Sequence, residues 1–159
     1  MISPNRYIII MKKTLSLLLL VLCSSLYAQV DTQSRFESDS RQFYVWNEDK
    51  GKYELRETEY EHSVIDIREI GSKNNGYIVI SLSDNGESRI FHGSITGFQA
   101  EESEGSWSMR SKLLKGKLTY SPEKNTFTYT YEATEKRYNK ILIFTVRPED
   151  VRSRSLTGI

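Results

Sequence analysis

Most of this chain is written in short runs whose side chains alternate between two faces, with turn signals between them. The clearest run is Thr126–Glu132, where Phe127, Tyr129 and Tyr131 alternate with Thr126, Thr128 and Thr130. A period of two is the period of a pleated strand. Threonine and tyrosine, of which the chain has 10, favour strands over helices. The same reading predicts strands at residues 42–47, 52–57, 64–70, 77–82, 88–92, 106–110, 113–120 and 141–146. Between them lie Glu48-Asp49-Lys50-Gly51, Gly71-Ser72-Lys73-Asn74-Asn75-Gly76, Asp84-Asn85-Gly86 and Ser121-Pro122-Glu123-Lys124-Asn125, all read as turns. Glu135 to Lys140 reverses the chain before the last strand.

Short connections require antiparallel neighbours, because parallel pairing needs a long crossover. The predicted fold class is therefore all-β, an antiparallel up-and-down meander of about 8–9 strands. It closes as a barrel or packs as a two-sheet sandwich. Residues 93–105, with Gly93, Gly97 and Gly105, break the alternation and predict a bulge or a longer loop. Trp107 and the stripe of Phe127, Tyr129 and Tyr131 are expected in the core.

The polar run 29–40 has no periodicity and is expected to be a flexible lead-in. The folded domain is expected to span 41–147, with residues 148–159 as a C-terminal tail. Ahead of these, residues 1–28 have the order of an export signal. Lys12 and Lys13 precede the apolar run from Leu15 to Cys23, and small residues precede Gln29. The expected start is Met11 and the expected cleavage follows Ala28. The run is short against the ~20 residues a membrane helix needs. Extending it to Ile8 would bury two lysines at about 2.5–3.5 kcal/mol each. No transmembrane segment is expected after signal removal. Leu22 before Cys23 fits poorly with lipidation, which favours a small residue there.

Removing Arg6, Lys12 and Lys13 from the 22 basic residues leaves 19 against 21 acids, a formal charge of −2. A nucleic-acid partner, which calls for a clustered basic face, is not expected. The only cysteine, Cys23, lies in the signal, so neither a disulfide nor thiolate chemistry is expected in the exported chain.

The Tyr27-Ala28-Gln29 junction resembles the signal ends of small secreted β-proteins of Bacteroidota-type bacteria, a resemblance confined to the signal. The meander is similar to the lipocalin-like group in topology alone, and topology carries no function. The signal implies export: periplasmic, outer-membrane-associated or extracellular.

Little catalytic chemistry can be assembled from the motifs. His62 and His92 are the only histidines and lack a zinc-ligand spacing. Residues 93–97 place Ile95, not serine, at the centre of what would be a nucleophile elbow. Ser94 lies near His92 without an orienting third group. Asp84 to Glu87 and Glu101 to Glu104 do not match a calcium loop. No catalytic residue, metal site or cofactor is assigned. The better resource is aromatic. Tyr44 and Trp46 share one face of the first strand, opposite Phe43 and Val45. One face must meet the core, and the other could present a platform for sugars or apolar ligands. The candidate ligand-binding residues are Tyr44, Trp46 and His92. The expected function is that of an exported, non-enzymatic β-domain binding a small ligand, a glycan or an envelope partner. The alternatives are a small secreted hydrolase with a site assembled only in three dimensions, and an assembly subunit that uses an edge strand.

Overall fold

The computed structural model describes residues 31–132 and 140–147. The expected signal, Cys23, the tail 148–159 and most of the last reversal lie outside them. Nine strands follow in chain order: β1 (Asp31–Asn47), β2 (Lys52–Glu59), β3 (Ser63–Ile70), β4 (Ser72–Asp84), β5 (Glu87–Glu101), β6 (Glu104–Arg110), β7 (Lys115–Ser121), β8 (Thr126–Glu132) and β9 (Lys140–Val146). All pairings are antiparallel. Eight strands close a barrel in the order β1, β3, β4, β5, β6, β7, β8, β9 and back to β1, and β2 is the extra strand. Of the two expected architectures, the barrel is the one adopted.

Closure depends on the length of β1. Its first half pairs with β3, from Asp31↔Ile70 to Ser38↔Ser63. Its second half pairs on that same side with β2, from Arg41↔Glu59 to Asn47↔Lys52. Its other edge takes β9, from Ser38↔Val146 to Tyr44↔Ile141, with a register shift between Ser38 and Ser40. Such a shift bends a strand and adds twist, which lets one strand serve both seams.

This corrects the reading of residues 29–40 as a lead-in. From Asp31 onward they are barrel strand, and Phe36 is only 1% exposed. The alternation is masked because the other inward positions there are small and polar. Thr32 bonds the buried Glu69, and Ser38 is itself buried. Outward, Arg35 grips Asp66 with two hydrogen bonds of 2.8 and 2.9 Å, and Arg68 reaches Asp31 at 3.1 Å. The Gly93 to Gly105 segment holds a bulge rather than a long loop: β5 continues to Glu101 with a shift between Ile95 and Gly97, and a two-residue turn at Glu102-Ser103 leads into β6. Residues 72–76 belong to β4 rather than to a separate turn. The Asn-Gly hairpin holds as expected, with Asn85 at φ 51° and Gly86 at φ 83°, the left-handed pair such a turn requires.

An eight-stranded barrel has an interior just wide enough for side chains or one small ligand. Here the interior holds two groups of contacting rings. Phe127 lies 4.8 Å from Phe36 and 4.6 Å from Tyr120, centroid to centroid. Phe91, Tyr129 and Tyr131 form a second group at 5.0–5.4 Å. Ile65, Ile67, Ile78, Ile80, Leu118 and Phe144 fill the space around them. Burying each such side chain contributes about 1.5–3 kcal/mol. Trp107 and the Phe127, Tyr129, Tyr131 stripe are core, as their alternation predicts.

Candidate functional site

Beyond Tyr44, β1 pairs only with β2 among the described residues, so the two strands continue past the barrel as a two-stranded ribbon. Phe43 packs toward the core. By alternation Tyr44 and Trp46 then take the opposite face. The β1–β2 register sets Tyr44 against Leu55 and Trp46 against Tyr53. The Trp46 and Tyr53 rings meet edge to face, 5.2 Å apart at 73°, a favoured aromatic geometry. Leu55 is 48% exposed, while Tyr44, Trp46 and Tyr53 are each partly exposed. The Tyr44 hydroxyl donates to Gln42 Oε1 at 3.2 Å.

The tip is held by polar contacts. Asn47 Oδ1 accepts from the Lys50 backbone N–H at 3.1 Å, closing the turn. Glu54 then accepts from Asn47 Nδ2 and from Lys50 Nζ, both at 2.8 Å. Lys50 first, and Asn47 after it, hold the Glu54 carboxyl below its usual range, because hydrogen bonds to the charged form favour it. A groove of about 330 Å³ runs along this ribbon, at the lower end of the ~300–1,000 Å³ range of small-molecule sites. Trp46, Asn47 and Glu48 line it from one side, with Val45. Glu54, Leu55 and Arg56 line it from the other.

The base of the ribbon is fixed by Arg41, which is 2% exposed. Its guanidinium pairs with Glu59, donates from Nη1 to Ser63 Oγ at 3.1 Å, and donates from Nη2 to the Ser83 carbonyl at 2.6 Å. One side chain thus ties β1, β2, β3 and β4 together where the ribbon leaves the barrel. A buried charge of this kind is tolerable only when paired and hydrogen-bonded.

Of the three candidate residues, Tyr44 and Trp46 come together on the ribbon and His92 does not. His92 is exposed on β5, opposite Val79 of β4, with Ser94 two residues along and opposite Tyr77. His62 is exposed, 3.5 Å from Asp39 Oδ1, and Arg147 already holds that carboxylate at 2.8 and 2.9 Å. Arg147, ahead of His62, holds the Asp39 carboxyl below its usual range. No group of three or more His, Cys, Asp or Glu able to hold a metal occurs among the described residues. The acidic run 101–104 lines a groove of about 530 Å³, where Ser103 donates to Glu123 at 3.3 Å.

Tyr53 and Leu55 are functional candidates that the sequence reading treated only as a strand face. The hairpin register was the available signal, since it sets them opposite Trp46 and Tyr44. Arg41 gave none: nothing local marks an arginine as buried. The same holds for Glu69, which is 7% exposed and accepts from Trp107 Nε1 at 3.0 Å.

No family model, curated protein or solved structure matches this chain.

Proposed function

We propose that this protein is an exported, non-catalytic binding domain and that the β1–β2 ribbon is its ligand-binding element, with a glycan as the leading ligand class. One observation carries the reading: Tyr44, Trp46, Tyr53 and Leu55 gather on one face of a ribbon that continues past the barrel. The Trp46 ring and Leu55 share the groove with an amide, carboxylates and a guanidinium, a combination that suits a sugar, which offers an apolar ring face and a rim of hydroxyls. The interior site that this barrel class offers a ligand is taken by the two ring groups, which favours an external site. The lipocalin-like mode of carriage inside the barrel is accordingly not part of the proposal.

The export half of the proposal rests on the order of residues 1–28. It places the domain in the periplasm, at the outer membrane or outside the cell. N-terminal sequencing of protein recovered from the cell envelope or medium is expected to begin at Gln29. Recovery of chains retaining Leu15 would refute cleavage.

For binding, tryptophan emission is a clean probe. The chain has two tryptophans, and Trp107 is 2% exposed inside the barrel, so a ligand on the ribbon acts on Trp46. Titration with a panel of soluble oligosaccharides is expected to shift the emission with saturation. Trp46→Ala should abolish the shift while leaving the fold intact. Absence of any saturable change, by emission or calorimetry, would refute the ribbon as a glycan site.

An assembly role through a free strand edge has less support. Among the described residues, β2 has one neighbour, β1. Its sequence carries Lys52, Glu54, Arg56, Glu57 and Glu59, and its register shifts at Arg56. Charge and a bulge are the usual devices that keep an edge from recruiting another strand.

A further inference from the structure

We infer that the ribbon groove selects acidic sugar units, with Arg56 as the residue that recognises their carboxylate; the inference rests on the ribbon being the glycan-binding face. The argument starts from the bulge. Phe43 faces Glu57 and Tyr44 faces Leu55, so Arg56 is the extra residue with no partner across the pair. A bulge re-aims the side chain it carries, and Arg56 lines the groove with Trp46 and Leu55.

The other charges sort by whether they are already satisfied. Glu54 is engaged by Lys50 and Asn47. Arg56 is exposed, and no ion pair or hydrogen bond joins its guanidinium to another described residue. Glu48, the remaining charged group of the lining, lies in the turn. Among the described residues no ion pair or hydrogen bond joins it to Arg56, and it can accept hydroxyls elsewhere along a bound chain.

A guanidinium presents its donors in a fixed fork that matches a carboxylate bidentately. An adjacent indole and leucine supply the surface for the ring that carries it. The combination fits a uronate-type sugar better than a neutral hexose, which would leave the guanidinium without an anion. A phosphate-bearing ligand would also meet the charge, but it would leave the apolar ring surface beside Arg56 unused.

The test compares short oligogalacturonates with neutral galactose oligomers of equal length, titrated against the purified protein by calorimetry and tryptophan emission. The acidic series is expected to bind at least about tenfold more tightly, with an affinity that falls as salt rises. Arg56→Gln should bring the acidic series down to the neutral one, so that the ratio of the two affinities falls to about one. Arg56→Lys should restore only part of the preference, since an ammonium cannot make the bidentate pair. Arg56 is exposed, so an unchanged melting temperature is the control for folding. Equal affinity for the two series, or a preference that survives Arg56→Gln, overturns the acidic selectivity and leaves the ribbon reading standing. No binding of either series overturns both.

Discussion

The barrel interior and the ribbon are built from the same materials, and they use them in opposite ways. Both consist of antiparallel strands with aromatic residues at alternate positions. Inside, Phe91, Tyr129 and Tyr131 meet one another and are at most 5% exposed. On the ribbon, Trp46 and Tyr53 pair just as closely, at 5.2 Å, but stay partly exposed beside a half-exposed Leu55. Ring contact is equal in the two places, and enclosure is not. A closed sheet surrounds what points inward, whereas two strands can cover only one side of themselves. Aromatic pairing therefore serves stability in one region and is available for recognition in the other.

The sharpest way to break this comparison is to delete one ring from each region. Phe127→Ala should cost about 3–5 kcal/mol, the range for large-to-small changes in packed cores. Against the ~5–15 kcal/mol stability of a typical domain this is a major loss, read as a fall in the denaturant midpoint. A loss under about 1 kcal/mol would mean that the interior is not closely packed. Gly116→Ala comes next. An added Cβ would lie 2.6 Å from Tyr129 Cε2 and 3.0 Å from its hydroxyl, and overpacking of this kind costs about 1–3 kcal/mol. The same measurement checks it, and a neutral result would show that the Tyr129 ring can move aside.

The interior also has an alkaline signature. Burial pushes the Tyr129 hydroxyl well above the ordinary tyrosine value of 10.0, and it raises Tyr131 against an opposing pull from Arg89. Because the folded values lie above the unfolded one, this stability is complete below about pH 10 and is lost as pH rises toward the folded values. Phenolate absorbance should therefore rise for these two residues only together with unfolding. Ionisation well before loss of the fold would contradict an enclosed interior.

On the ribbon, Trp46→Ala should remove about 0.5–1.5 kcal/mol, the worth of an edge-to-face pair, read as a fall of a few degrees in melting temperature. A loss as large as that of Phe127→Ala would erase the distinction between the regions. The smallest expected effect is at the β1–β9 seam. Asp39 has a folded value below its usual 3.8, so its contribution is present above that pH and is lost as pH falls through the lower folded value. The group is exposed and screened, so Asp39→Asn should only slightly flatten the acid limb of a stability profile. A large change there would make the seam, rather than the core, the element that holds the barrel closed.

Much of the meander was legible residue by residue. The run Thr126–Glu132 was read with the boundaries it has, and Asn85-Gly86 announced its hairpin through residues that tolerate left-handed backbone. The first half of β1 was not legible, because Thr32, Ser34 and Ser38 stand at its inward positions and only Phe36 signals a core face. Tyr44 and Trp46 were readable as a shared face, and their neighbours Tyr53 and Leu55 followed from the hairpin register. His92 looked comparable in sequence, but strand order sets it on β5, away from the ribbon.

The local code of this chain, alternation and turn chemistry, determined by itself that it forms strands, roughly where each begins, and that neighbours run antiparallel. Those properties depend on a few adjacent residues. Tertiary structure alone decided that the meander closes, that β2 is left outside, and which aromatic face stays in water. These outcomes depend on β1 meeting β9 more than a hundred residues later, at Ser38↔Val146, and on Arg41 joining four strands. Alternation separates two faces of a strand but does not say which is inside; only closure of the sheet assigns one of them to the core.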